Sequence, residues 1–511
     1  MNFKAVPGWT RRLELPLLAA VGALHALTFA HTGAWPLQLL CVALLAWRVQ
    51  GAAPGRAALL GWTFGSVWVG AGTWWLFVSM HRYGGLPAPL AVAAVAALAL
   101  AMGAYLALAM GLYARLRRGR AMPDALLWAA LWLLAELARG ALFTGFPWLA
   151  SGYAQVDAPL AVLAPWVGVY GMGAAVALIS ALLVAAARAG WRVLGLALAG
   201  MAAVLTVADV LGPASFTLGH GTLRVSLVQT NVAQDEKFAT EHLPGALAWL
   251  RQALDQAQGD LVVAPETAIP LLPSQLQDFD PTYWSALRDR FEHSPQAALV
   301  GVPLGDFDSG YANAVLGLSS HTAGKDPYRY DKVHLVPFGE FIPTGFRWFT
   351  RLMEIPLGDF DRGPLNAPSF ATLGQRLAPN ICYEDLFGEE LAQRFREPAH
   401  SPTLFVNVSN IAWFGHTVAL PQHLNISRLR ALEFQIPMLR ATNTGVTAVI
   451  DETGRVTAQL PAYSRGTLEA PVQAREGVTP FAWWAARAGL WPLLAAALGT
   501  IVLVVARVRR A

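Results

Sequence analysis

Long apolar runs separated by short arginine-bearing gaps fill the first 211 residues, and then the pattern changes. The runs lie at 13–30, 34–50, 57–80, 87–114, 125–145, 158–187 and 191–211, and a last one closes the chain at 483–506. A bilayer core takes about 20 apolar residues per helix. The pattern therefore predicts seven spans, a long water-exposed stretch, and an eighth span. The first run follows Lys4, Arg11 and Arg12 and has the flanks of a signal peptide, but six further runs behind it favour an uncleaved anchor. The expected domains are a membrane domain at 1–211, a water-exposed domain at 212–480, and a closing helix with its tail at 481–511.

From residue 222 the periodicity is that of an α/β domain. "TLRVSLVQTN", "DLVVAPE", "AALVGVP", "YANAVLGLS", "RLAPNICYE" and "TLFVNVSN" read as strands. "HLPGALAWLRQALDQAQ" and "LPQHLNISRLRALEFQ" read as amphipathic helices, and "TAVID" with "GRVTAQL" as a hairpin turning at Glu-Thr-Gly. Strands alternating with helices argue an α/β fold.

Charge sharpens this division. The chain has 511 residues, 55% of them hydrophobic and 14% charged, against about 25% charged in an average soluble domain. Residues 1–211 hold five acids and thirteen Lys or Arg. Arg48 and Arg56, then Arg115, Arg117, Arg118 and Arg120, then Arg188 and Arg192, and finally Arg507, Arg509 and Arg510 fall in alternate gaps and the tail. The positive-inside rule puts those gaps and both termini in the cytoplasm. Seven spans then deliver 212–480 to the outer face. The sequence pI of about 9.1 belongs to these topological arginines, so nucleic acid is not an expected partner. The two cysteines, Cys41 and Cys382, make no disulfide framework. The histidines have no zinc spacing, and no metal or other cofactor is expected.

Three polar residues end or adjoin predicted strands: Glu266 in "VVAPETAIP", Lys332 in "YDKVHLVPFGE" and Cys382 in "NICYED". Strand ends are where α/β folds place chemistry. A thiol becomes a nucleophile when a base takes its proton. Glu266 is a candidate base, and Lys332 a candidate partner for a carbonyl oxyanion. Glu340 and Glu384 are candidates for a second carboxylate that holds the lysine. A structural cysteine, a solvated turn glutamate and a surface lysine fit the same residues, and spacing alone leaves both accounts open.

The order of motifs adds a resemblance. Glu in "APETAIP", Lys in "DKVHLVPFGE" and Cys in "CYED" resemble the nitrilase superfamily. Together with "AELARGALFTGFPWLASGYAQ", "LVQTNVAQDEKF", "NVSNIAWFGHTVALPQH" and "RALEFQIPMLRATNTGVTAVID" they resemble the apolipoprotein N-acyltransferase family over nearly the whole chain. The resemblance implies a nitrilase-like αββα sandwich mounted on an all-α bundle of eight transmembrane helices. It implies Glu266 as general base, Lys332 as oxyanion partner, Cys382 as the nucleophile that carries the acyl chain, and Glu340, Tyr383 and Glu384 as supporting residues.

It further implies acyl transfer from the sn-1 position of a phospholipid, phosphatidylethanolamine being the expected donor. The acceptor is the α-amino group of a diacylglyceryl apolipoprotein. The expected setting is the bacterial inner membrane, as a monomer, with the catalytic domain in the periplasm. Phe238 stands where the family usually has Trp, and Ile411 where it usually has Asp. Moving an acyl chain of about sixteen carbons into water costs more than about 10 kcal/mol, so the site belongs at the bilayer surface.

The aromatic segments 341–360 and 411–420 are expected lips for lipid. Phe238, Trp413, Phe414, Trp348 and Trp148 are the expected substrate contacts. Glu136 and Arg139, one helical turn apart in an apolar run, read either as a self-neutralising pair that positions the "TGFPW" loop or as the lining of a polar route. A membrane-tethered amidase sharing the Glu–Lys–Cys residues is the alternative activity, and a transporter with an outer binding domain is a further one.

Overall fold

The computed structural model describes residues 8–212, 214–343 and 359–506. The chain forms two compact units. One holds the apolar helices up to Phe77, Ala88–Ala214 and the chain from Ala488; the other holds Val78–Pro87 and Ser215–Arg487.

In the first unit, long helices form at Gly8–Leu27, Trp35–Val49, Pro54–Thr73, Ala88–Leu116, Ala121–Ala141, Ala164–Ala189, Trp191–Leu211 and Trp491–Ala506. They occupy the eight predicted runs. Among the described residues, four segments have the length and apolarity to cross a membrane: Thr32–Val49, Ala88–Leu116, Ala121–Thr144 and Pro159–Ala189. The number rises to five if the two helices near the end of the chain count as one span.

The helix Gly8–Leu27 is diluted by Glu14, whose carboxylate binds the guanidinium groups of Arg48 and Arg56. The run expected at 57–80 is a helix only to Thr73. Beyond it Trp75 is buried, its indole N–H bonded to the Gly72 carbonyl. The run expected at 483–506 is two helices, Pro480–Ala488 and Trp491–Ala506, broken where Gly489 takes φ +52°.

Within the first unit, Glu136 accepts hydrogen bonds from the Ser151 N–H (2.8 Å) and hydroxyl (2.7 Å). Arg139 lies 3.6 Å from Glu136 and donates to the Leu149 carbonyl. Both are buried. The pair thus ties down the turn after its own helix. Trp148 is buried in the same turn, with its ring 4.7 Å from that of Trp75.

The second unit is a sandwich of two six-stranded mixed sheets. We number the strands β1 (Thr217–Gln229), β2 (Leu261–Ala264), β3 (Ala297–Asp306), β4 (Gly310–Leu318), β5 (Tyr328–Asp331) and β6 (Phe370–Thr372). The rest are β7 (Gln375–Ile381), β8 (Leu404–Ser409), β9 (Met438–Thr442), β10 (Ala448–Ile450), β11 (Val456–Gln459) and β12 (Gly466–Gly477). One sheet runs β12-β1-β2-β3-β4-β5 and the other β11-β10-β9-β8-β7-β6. Each has three parallel strands at its heart, β1-β2-β3 and β7-β8-β9, with antiparallel neighbours outside.

Parallel strands covered on both faces need continuous apolar sequence, and "LVVA" and "LFV" supply it. Leu227, Val263, Leu299, Leu377, Ile381, Val406 and Leu439 fill the space between the sheets. Outside the first sheet lie helices Leu243–Gln256 and Tyr283–Glu292, whose Leu250, Leu254, Leu287 and Phe291 pack on Val262 and Val300. Outside the second, Phe434 and Phe481 pack on Ala378, Phe405 and Met438. The layers are therefore helix, sheet, sheet, helix.

The helix expected at 420–435 forms at Ala419–Phe434, but it is not amphipathic. His423, Asn425, Ser427, Arg430 and Glu433 are buried with its apolar residues. Asp385 and Arg440 bind His423 and Ser427 from outside the helix, and Arg430 pairs with Glu433 within it, so the polar face meets protein instead of water.

Candidate active site

The C-terminal ends of the parallel strands deliver the polar residues. Glu266 follows β2, Cys382 follows β7 and Asn410 follows β8, while Lys332 follows the edge strand β5. Cys382 has φ +52° and Thr267, next to Glu266, has φ +50°. Left-handed backbone at a β-branched residue such as Thr is a genuine outlier, and such strain gathers at functional sites. Gly301 of β3 faces the Glu266 turn. A Cβ there would strike the Pro265 carbonyl and come within 2.8 Å of the Glu266 Cα, so only glycine admits the turn.

Glu266, Lys332 and Glu340 converge. The Lys332 ammonium is 2.8 Å from Glu340 and 3.6 Å from Glu266. The Asn313 amide bridges the two carboxylates, donating to Glu266 Oε1 (2.7 Å) and Glu340 Oε1 (2.8 Å). The second Glu266 oxygen accepts from the Asn410 backbone N–H at 2.7 Å. Lys237, also buried, donates to the Glu266 carbonyl at 3.0 Å.

Electrostatics set the resting state. Burial opposes the charge on Lys332, but the carboxylates of Glu340 and Glu266 outweigh it and hold the ammonium above its ordinary pKa. Burial pushes the Cys382 thiol well up, the negative charge on Glu266 pushes it further, and Lys332 pulls it back. A thiolate beside an ionised Glu266 is therefore unfavourable. Moving the thiol proton onto Glu266 removes that repulsion and leaves Lys332 facing the sulfur's new charge. Burial lowers Lys237 to about 8 against the pull of Glu266.

The two candidate second carboxylates part company. Glu340 bonds Lys332. Glu384 instead accepts the Tyr330 hydroxyl (2.8 Å) and the backbone N–H groups of Ile381 and Val333 (both 2.6 Å) and His334 (3.2 Å). It thus fastens the Lys332 segment to the Cys382 turn. Tyr383 is buried, its ring against Phe387 and His334. His334 stacks on Phe387 and pairs with Glu390 at 2.9 Å, which fits a structural role.

Of the expected substrate contacts, Phe238 is half-buried in the turn that carries Lys237. Trp413 and Phe414 lie half-buried in the single-turn helix Ile411–Phe414, with Trp413 edge-on to Tyr83 at 6.0 Å. Ile411 is buried against Gly445. Trp148 belongs to the helical unit. Trp348 and most of the 341–360 segment lie outside the described residues.

Sequence reasoning missed Asn313, Asn410 and Lys237. Asn313 left a signal: it is the lone amide inside the apolar strand "YANAVLGLS". Asn410 contributes its backbone, and residue type carries no sign of that. Among the described residues, no cluster of His, Cys, Asp or Glu suits a metal ion.

Comparison with known proteins extends the reading to the whole chain. Residues 21–182 match the family profile described as apolipoprotein N-acyltransferase N-terminal domain, and residues 224–480 match that of carbon-nitrogen hydrolase. An apolipoprotein N-acyltransferase of Verminephrobacter eiseniae is 52% identical, covering 95% of this chain and 95% of its own. One from Ralstonia nicotianae is 45% identical, covering 99% and 96%. Among solved structures, the C. elegans NitFhit protein aligns over 50% of this chain and 62% of its own, at 20% identity and a TM-score of 0.38. The N-terminal match favours the acyltransferase over a tethered amidase. With a two-sheet carbon-nitrogen hydrolase domain, several apolar helices and relatives matched end to end, this chain belongs to the apolipoprotein N-acyltransferase family.

Proposed function

We propose that the chain transfers a fatty acyl group in two steps through a thioester on Cys382. Glu266 takes the Sγ proton, and the thiolate attacks the sn-1 ester carbonyl of a phospholipid, phosphatidylethanolamine being the donor that fits the family. Lys332 pairs with the tetrahedral oxyanion. The ester C–O bond breaks, and Glu266 returns its proton to the departing lysophospholipid. The neutral α-amino group of a diacylglyceryl-cysteine on an apolipoprotein then attacks the thioester. Glu266 receives the amine proton, the C–S bond breaks, and the proton goes back to sulfur. Two easier steps replace one hard one.

The observation that carries this reading is the convergence of Glu266, Lys332 and Glu340 beside the left-handed turn at Cys382. Tyr383 and Glu384 support the turn in this scheme. Phe238, Trp413, Phe414, Trp348 and Trp148 remain the proposed lipid contacts. We place the enzyme in the inner membrane as a monomer with eight spans, the membrane domain at 1–211, the periplasmic catalytic domain at 212–480 and the last span within 481–511. The alternating arginine gaps support that orientation.

The test is mass spectrometry of the purified protein after incubation with phosphatidylethanolamine. An acyl adduct on Cys382 is expected in the wild type and in neither Cys382→Ser nor Glu266→Gln. Turnover without any Cys382 adduct in rapid-quench samples overturns the scheme.

A further inference from the structure

Beneath the reactive turn, on the outer face of the second sheet, lies a buried polar row that the mechanism above does not use. Asn380, Asn407 and Arg440 occupy matching registers on β7, β8 and β9. Their strand neighbours on the same face, Ala378, Phe405 and Met438, are apolar core. The polarity is confined to the strand ends nearest Cys382. His423, Ser427 and Asp385 close over the row, and His423, Ser427, Asp385, Asn407 and Arg440 are all fully or nearly fully buried. Such a group is costly to assemble unless its donors and acceptors are matched.

Two of its donors meet at one backbone atom. His423 Nε2 is 3.3 Å and Asn407 Nδ2 3.4 Å from the carbonyl oxygen of Cys382. Arg440 sets the direction of both. A guanidinium has donors only, so its contact with His423 Nδ1 at 3.0 Å requires a bare Nδ1. The imidazole N–H is then on Nε2, facing the Cys382 carbonyl and Asp385 Oδ1 at 3.2 Å. Arg440 also lies 3.4 Å from Asn407 Oδ1, which accepts the Ser409 hydroxyl too. That turns the Asn407 amide so that Nδ2 faces Cys382 and Asn380 Oδ1. Asp385 and Ser427 hold the guanidinium in turn.

We propose that His423 and Asn407 are positioning residues for the nucleophile, oriented by Arg440. By binding the Cys382 carbonyl they hold the left-handed turn that presents the sulfur to Glu266 and Lys332. They touch no substrate. A cysteine at φ +52° relaxes toward ordinary strand geometry unless something over-determines it, and a strand-end carbonyl held by two side-chain donors does so. The inference rests on Cys382 being the nucleophile.

The experiment follows alkylation of Cys382 by iodoacetamide and formation of its acyl adduct, each resolved by peptide mass spectrometry and scaled to the folded fraction. His423→Leu deletes the donor, His423→Gln keeps an N–H near the Nε2 position, and Asn407→Ser is a milder second variant. A misplaced reacting group costs about 100-fold in rate. The expected result is a loss of that order in the acylation rate per folded molecule of His423→Leu, with KM unchanged. His423→Gln restores most of it, and Asn407→Ser loses less than His423→Leu.

Equal rates per folded molecule for His423→Leu and wild type overturn the inference, as does equal impairment of His423→Gln and His423→Leu. Should His423→Leu fail to fold, Asn407→Ser decides: an unchanged rate counts against the cradle and a reduced one for it. A wild type that never acquires an acyl adduct overturns the nucleophile itself, and the alkylation contrast separates that failure from a failure of the cradle.

Discussion

Lys332 lies nearer to Glu340 than to Glu266, 2.8 Å against 3.6 Å, although its charge attracts both. Glu340 therefore draws the ammonium aside, and in the proposed scheme this leaves Glu266 to act as the base. In Glu340→Gln the ammonium closes on Glu266 and weakens it as a base. Adduct formation on Cys382 is expected to fall by about 100-fold, the usual worth of general-base catalysis. An adduct forming at the wild-type rate in this variant would show that the second carboxylate is dispensable.

The thiol's own ionisation should move opposite to activity in Glu266→Gln. Burial and the Glu266 charge together raise the Cys382 pKa. Neutralising Glu266 removes the second cause, so the thiol ionises at lower pH than in the wild type. The alkylation-versus-pH curve for Cys382 should shift to lower pH while lipid turnover is lost. A shift to higher pH contradicts the assigned electrostatics.

Lys237 predicts a pH dependence of stability. Its pKa is about 8 in the fold against a usual 10.5. Below 8 the folded and unfolded chains both carry the proton, and burial of the charge penalises the fold. Between 8 and 10.5 the folded chain has shed the proton and the unfolded chain has not, so stability rises with pH. The gain is on the order of 3 kcal/mol. Melting curves in detergent should show this rise in the wild type and lack it in Lys237→Met; parallel curves for the two proteins refute it.

The intramembrane pair is expected to be architectural. Glu136→Ala leaves Arg139 buried without its carboxylate and the Ser151 backbone N–H without its acceptor. Breaking a buried pair costs about 3–5 kcal/mol. The double replacement Glu136→Leu/Arg139→Leu should recover much of that. Thermal aggregation of the three proteins checks it. Normal thermal stability in Glu136→Ala together with lost acylation would instead mark a functional route.

The apolar runs and the strands of the catalytic domain were legible along the chain because their signals are local. A run of Leu, Ala and Val marks an apolar helix whatever surrounds it. "LVVA" and "LFV" mark strands covered on both faces. β5, β6 and β12 went unread because edge strands such as "YRYD" mix polar and apolar residues, and β9 because Arg440 interrupts the short buried run "MLRAT". The helix Ala419–Phe434 looked amphipathic because its polar residues implied water, when His423 and Ser427 meet Asp385 and Arg440 and Arg430 meets Glu433.

Sequence by itself determined where apolar helices and the α/β domain lie, and it singled out Glu266, Lys332 and Cys382 as strand-end chemistry. Only the tertiary structure decided which carboxylate binds Lys332, that Asn313 bridges two of them, and that Asn407 and His423 share the Cys382 carbonyl. Hydrophobic periodicity is a property of neighbours along the chain. A hydrogen bond between residues 41 positions apart, as from His423 to Cys382, depends on where two strands and a helix come to rest.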